Sequence, residues 1–327
     1  MSGPTAEGAS AASGALRGEL TFLAPPGEAA DWRLVVLVDT AARAGLLDAL
    51  PGSAGDLAGA LGLEPSAVQV VLDALGAWEL VELGADGRYH AGVGGPDRDL
   101  VLQIAHHARM LRRWATSLDD RLRGVAGAAD PGATPEPAAF LDSLAVAARQ
   151  SAPDVVERCL RRFPDAGRVL ELGGGHGEYG LEFARRGRQV TMQDRPAVIE
   201  LARQRGRLEE AGVVLFAGDL HETLPDGPFD LAFCAGVTHT FSGPRNADLY
   251  HRLRPRLAPG GGIAIVTLLR RHDAIARLFA VQMMANAHGG DTHGEDDYRA
   301  WLGDAGFGPV ELDDGSGARS FLFADVH

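Results

Sequence analysis

The chain has 327 residues, with 44 acidic side chains against 31 basic ones and a formal charge of −13. That balance speaks against nucleic acid as a partner, because phosphate binding needs clustered cations, and the length leaves room for two domains with a substantial core. Two cysteines, Cys159 and Cys234, are too few for a disulfide framework; no apolar run reaches the ~18 residues of a membrane span; and the start lacks a leader pattern, so a cytoplasmic protein with no membrane partner is expected.

Residues 1–18, rich in Ser, Ala and Gly, read as a disordered tail. From 19 to 96 the pattern predicts three short helices, Trp32 to Leu46, Ala54 to Leu61 and Ser66 to Trp78, the last opened by Glu64-Pro65-Ser66. A hairpin of Leu80 to Glu82 and Arg88 to His90 follows, joined by Gly84-Ala85-Asp86-Gly87. Three helices and a hairpin describe a winged helix, a module whose third helix often enters DNA. Here Ser66 to Leu75 carries no arginine or lysine, only one acid and one amide, and its apolar excess predicts a packing surface instead. Residues 97–163 read as bridging helices, 97–123 and 137–163, with the Pro-rich Asp130 to Pro137 as a linker.

Residues 164–327 carry the chemistry. Arg168 to Leu172 has the length of a buried parallel strand, and the glycines Gly173, Gly175 and Gly177 that follow let the backbone turn sharply and approach a ligand. Glu178 to Arg186 can form a helix whose N-terminus faces that ligand. The next apolar stretch, Val190 to Gln193, ends at Asp194, 21 positions after Gly173, with Arg195 beside it; a carboxylate there can accept both ribose hydroxyl protons. The segment Gly175 to Gly180 also satisfies the dinucleotide spacing GxGxxG, so NAD(P) competes with S-adenosylmethionine (SAM). Two carboxylates favour SAM. Glu171, at the strand end, suits a cationic amine that NAD lacks, and Glu178 puts negative charge where a pyrophosphate needs a neutral helix start.

Downstream, Gly218-Asp219-Leu220 closes a third strand, Val213 to Phe216, and offers a carboxylate and an apolar side chain to an adenine. Phe229 to Cys234 makes a fourth strand, with Cys234 and Ala235 at its ligand end. Leu257 to Gly262 reads as a helix stop before a fifth, Ile263 to Leu269.

With these motifs in place, residues 168–327 resemble the class I SAM-dependent methyltransferase domain. Together with the preceding module they resemble the two-domain small-molecule O-methyltransferases of plants and of bacterial secondary metabolism. The resemblance implies an α/β fold: a Rossmann-like, mostly parallel seven-stranded sheet behind an N-terminal, mainly α winged-helix dimerisation domain. It further implies a homodimer, SAM as cofactor with S-adenosyl-L-homocysteine as product, and a small aromatic or polyketide-like acceptor.

In the resembling enzymes a histidine just past the fourth strand deprotonates the acceptor hydroxyl, followed by an acid or amide and a tryptophan. His239 matches, whereas Thr240 and Phe241 depart. Thr292 stands where an orienting glutamate is expected, and Phe279 and Ala280 occupy the neighbourhood of a second acid, leaving Asp291 as a candidate substitute. The bland alternative is that His239 only caps or packs the helix beginning near Ser242-Gly243-Pro244. His288, Asp291 and His293 could collect a metal with His239, but residues spaced this way in a glycine-rich loop are usually solvated, and no metal is expected. Met110, Trp114, Met283, Met284 and His288 are either plain core or walls for the acceptor. Methylation at carbon or nitrogen, a decarboxylase, hydroxylase or pericyclase built on this fold, and a winged-helix regulator are the alternative functions.

Overall fold

The computed structural model describes residues 30–92, 95, 98–124, 137–270, 273–286, 291–314 and 319–326. The tail at 1–18, most of the linker at 130–137 and His288 fall outside the described residues. The chain divides into two compact units, Met1–Ala115 and Thr116–His327.

The first unit holds α1 (Trp32–Arg43), α2 (Ala54–Leu61), α3 (Pro65–Gly76) and the hairpin of β1 (Val81–Leu83) and β2 (Tyr89–Ala91). Each of the three helices starts on a side-chain acceptor: Asp31, Ser53 and Glu64 take the backbone N–H of Arg33, Asp56 and Ala67. Their apolar faces meet in one core with Leu34, Val38, Leu72 and Leu75, to which Ile104 and Ala108 of α4 (Arg98–Leu122) add. Both hairpin strands begin one residue later than the sequence pattern predicts, with Val81 paired to Ala91, and Leu80 just before them is buried in this core.

The second unit is a three-layer α/β sandwich. Its long first helix, α5 (Pro137–Arg162), leads into β3 (Arg168–Leu172), α6 (Glu178–Arg185), β4 (Gln189–Asp194), α7 (Pro196–Arg205), the single turn α8 (Arg207–Glu210), β5 (Val214–Ala217) and β6 (Phe229–Ala235). α9 (Gly243–Leu253), β7 (Leu257–Thr267), α10 (Ala274–Asn286), α11 (Glu295–Asp304), β8 (Glu311–Asp314) and β9 (Ser320–Asp325) complete it. The seven strands lie in the order β5-β4-β3-β6-β7-β9-β8; β3 to β7 are parallel and β9 runs antiparallel to both its neighbours. Alternation along β3 separates two cores. Val169 packs with Cys159, Phe183 and Phe233 on the α5–α6–α7 face, while Leu170 and Leu172 pack with Tyr250, Tyr298 and Leu302 on the α9–α11 face. The strand order reverses between β3 and β6, which places a ligand crevice at the carboxyl ends of those strands.

The run Leu257 to Gly262 is strand, not the expected helix stop. Leu257 already pairs with Phe229, and the ladder with β6 slips before Leu231 meets Gly262. Gly260 takes φ 77° and a Cβ on Gly261 would lie 2.5 Å from the Asp230 carbonyl, so glycines accommodate the irregularity instead of ending the element.

Candidate functional site

The glycine turn is built by the sheet beneath it. Gly173 takes φ 65°, and its N–H donates to the Gln193 carbonyl at 2.8 Å, which ties the end of β3 to the end of β4. A Cβ there would sit 2.6 Å from the Val237 side chain, so this glycine lets the loop after β6 close directly onto the turn. The Gly175 N–H donates to Asp194 Oδ2 at 2.8 Å, and the Arg195 N–H donates to Oδ1 at 2.7 Å. Asp194 is thereby fixed at the crevice with one backbone donor on each oxygen and lone pairs left over; burial is the main influence raising its pKa. Arg195 itself is exposed.

Glu171, one residue before the end of β3, is 2% exposed. Its carboxyl is enclosed under α6, where a Cβ on Gly180 would approach Oε2 to 2.4 Å, and Oε2 has no hydrogen-bond partner among the described residues. Burial, with the charge of Asp194 in support, pushes its pKa up to about 8. Glu178 does not act as a bare negative charge. It is 3% exposed and pairs with Arg149 at 3.3 Å and Arg207 at 3.1 Å, so the electrostatic objection to a phosphate at this helix start is weaker than the sequence implies. His176, overlooked in the sequence, accepts the Glu178 N–H on Nδ1 at 3.1 Å; burial lowers its pKa to about 4 and keeps it the neutral acceptor.

The third strand delivers its loop to the same edge. The Gly218 N–H donates to the Asp194 carbonyl at 2.9 Å, and Gln193 Nε2 donates to the carbonyl of Thr223 at 2.6 Å. Asp219 Oδ1 accepts the His221 N–H at 2.7 Å and lies 4.0 Å from Arg245, while Leu220 is buried. The Cys234 side chain is core. It is fully buried in the cluster with Leu170 and Tyr250, and its thiol is pushed up to about 12, mainly by burial; Ala235, next to it at the ligand end of β6, is half-buried.

His239 sits in a 3-10 turn, Thr238–Thr240, directly after β6. Its ring meets Phe279 edge-on at 4.6 Å, and burial, with His293 nearby, lowers its pKa to about 4. No carboxylate contacts the ring among the described residues. Asp291 offers its backbone N–H to the His239 carbonyl at 2.9 Å, while its carboxylate is paired with Arg270. Thr292 is fully buried and its Oγ1 has no partner among the described residues. The helix after this turn starts at Ser242 without a side-chain cap, so His239 is not its cap.

Of the acceptor-wall candidates, Met110 is buried and Trp114 half-buried on α4 in the first unit. On α10, Met283 is buried and Met284 is 37% exposed, as expected for successive helix positions. No group of three or more His, Cys, Asp or Glu side chains is arranged for a metal among the described residues.

A family model described as a methyltransferase domain matches residues 145–312. Among curated proteins, the chain is 38% identical over 80 residues to the release factor glutamine methyltransferase of Geobacter sulfurreducens, a match covering 24% of this chain and 28% of that protein. It is 30% identical over 156 residues to the acetylserotonin O-methyltransferase of Mus musculus, covering 44% and 40%. The chain thus spans less than half the length of either relative in these matches. Among solved structures, human N-acetylserotonin methyltransferase in complex with SAM superposes with a TM-score of 0.72 at 20% identity, covering 90% of this chain and 94% of that one. The seven-stranded sheet, the glycine turn closing β3 and the family match agree: the chain belongs to the methyltransferase-domain family.

Proposed function

We propose that this chain transfers a methyl group from SAM to a hydroxyl of a small aromatic or polyketide-like metabolite, with His239 as the general base. The observation that carries the reading is the contact between Gly173 and Val237. It brings the cofactor turn against the loop that bears His239, two residues on. The names of the two relatives point to different acceptors, a release-factor glutamine and acetylserotonin, so the choice of a hydroxyl rests on this histidine.

The residues fit the cofactor. Asp194 keeps lone pairs free for two ribose hydroxyls, Asp219 offers a carboxylate to an adenine while the side chain of Leu220 packs in the core behind it, and the glycine turn leaves room for close approach. SAM, when bound, supplies a methyl group activated by its sulfonium. His239, with its pKa near 4, is neutral at physiological pH and can take the acceptor's proton on a ring nitrogen. It is a weak base, so orientation carries much of the rate, an effect worth ~7 to 11 kcal/mol in favourable cases.

The domain organisation belongs to the same reading: a winged-helix module over 19–96, bridging helices over 97–163 and a cofactor domain over 164–327. The first module serves dimerisation, with exposed Trp32 and Val70, at 65% and 66%, available for a partner surface. No helix among the described residues is long and apolar enough to cross a membrane, and a cytoplasmic homodimer without nucleic-acid partners is proposed.

That no carboxylate contacts His239 among the described residues favours one second reading, an enzyme that keeps SAM while catalysing a step other than methylation. Incubating candidate metabolites with methyl-labelled SAM separates the two by mass. Gain of one labelled methyl supports transfer; product formation without label overturns it.

A further inference from the structure

We infer that His293 is a positioning residue for the proposed base, holding the His239 turn through a main-chain carbonyl where no carboxylate contacts the ring among the described residues. This rests on the reading of His239 given above. A 3-10 turn of three residues has little stability of its own, and here it is held at successive positions. The Thr238 carbonyl accepts Asn246 Nδ2–H at 2.9 Å and its Oγ1 is hydrogen-bonded to the Tyr298 hydroxyl at 2.7 Å. The His239 carbonyl accepts the Asp291 N–H at 2.9 Å, and the Phe241 carbonyl accepts Nε2–H of His293, also at 2.9 Å.

His293 is built to make that bond in one orientation. It is 5% exposed, with its ring edge-on to Trp301 at 4.9 Å and to Tyr298 at 6.2 Å, so the plane is fixed by α11. A carbonyl acceptor requires the hydrogen on Nε2. Its backbone is fixed from the segment that follows β7. The Arg270 N–H donates to the His293 carbonyl at 2.9 Å, Arg270 Nε donates to the Thr292 carbonyl at 2.5 Å, and the same guanidinium pairs with Asp291. The strap 291–293 therefore ties the segment after β7 to the base's own carbonyl and to its C-terminal side at Phe241. A carboxylate would orient the imidazole through its ring; this arrangement orients it through the main chain.

The test compares His293→Gln with His293→Leu in the full-length chain. Glutamine extends an amide N–H towards the Phe241 carbonyl, and leucine fills the space without a donor. With the acceptor that gains label in the SAM experiment, turnover of the leucine variant should fall about 10- to 100-fold at little-changed KM, and glutamine should restore it to within several-fold, the scale expected for a misplaced group. Carbon-13 histidine spectra of the protein saturated with S-adenosylhomocysteine provide an arm independent of turnover, the His239 signal being assigned by its loss in His239→Asn. That signal should shift and broaden in the leucine variant and return in the glutamine one. Equal impairment by glutamine and leucine, or an unmoved His239 signal in the leucine variant, overturns the inference. Absence of methyl transfer in the wild type overturns only the functional reading, because the spectra still report on the ring.

Discussion

Glu171, one residue before the end of β3, and Asp194, at the end of the neighbouring parallel β4, lie close enough that the charge of Asp194 adds to burial in holding the Glu171 carboxyl in its protonated form. The sign for stability follows. Between the ordinary value of 4.5 and the folded value of about 8, the folded state binds the proton that the unfolded state has lost, so this residue's contribution falls as pH rises through that window. Glu171→Gln, permanently neutral, should leave the melting temperature unchanged near pH 4.5 and raise it relative to wild type at pH 8 in the cofactor-free protein. Thermal unfolding across that range is the measurement; a variant less stable at both ends would show that the carboxyl is needed ionised.

Asp194→Ala removes the proposed ribose acceptor and also the cap on the Gly175 N–H. Affinity for SAM should weaken by about 1.5 to 3 kcal/mol, roughly 10- to 150-fold, as for a charged hydrogen bond. Calorimetry decides: a change below twofold, or NADH binding as well as SAM, would show that the turn serves another ligand.

His239→Ala should lower turnover by about two to four orders of magnitude at pH 7 with SAM affinity nearly unchanged. The variant should recover as pH approaches the acceptor's own pKa, where solution removes the proton. In the wild type, the acid limb of the rate profile should lie near pH 4 and not near 6.5, because burial has moved the imidazole's titration there. Near-normal turnover in the variant would make His239 structural.

Light scattering at micromolar concentration should find a dimer. Replacing Trp32 by Arg, at an exposed position, should shift the protein towards monomer while leaving its melting temperature close to wild type. A monomeric wild type removes the proposed role of the first unit.

The sheet was legible because its signals are local: β3 and β6 are apolar runs with glycine or polar breaks after them. The strand at Leu257 was not, since Leu-Ala-Pro-Gly-Gly-Gly has the composition of a stop and only its partners Phe229 and Val326 make it strand. At the site, Asp194 could be singled out by its spacing from the glycine turn, and His239 by its place after the fourth strand and the resemblance to the family's pattern there. The enclosure of Glu171 depends on Gly180 lying above it, and the pairing of Glu178 on Arg149 and Arg207, each 29 positions away; neither follows from spacing. His293 was visible only as a metal candidate, because its acceptor is a carbonyl 52 positions back. A histidine two residues before a helix that carries Tyr298 and Trp301 on one face is the signal that could have marked it.

The two buried thiols give the fold an internal gauge. Cys159 of α5 and Cys234 of β6 lie in the two opposite cores of the second unit, both fully covered and both with titration pushed upward by burial. Neither thiolate is available to an alkylating reagent in the closed state. Labelling in native buffer should therefore proceed only through opening events, and the relative rates at Cys159 and Cys234 would report whether the two faces of the sheet come apart together or in turn.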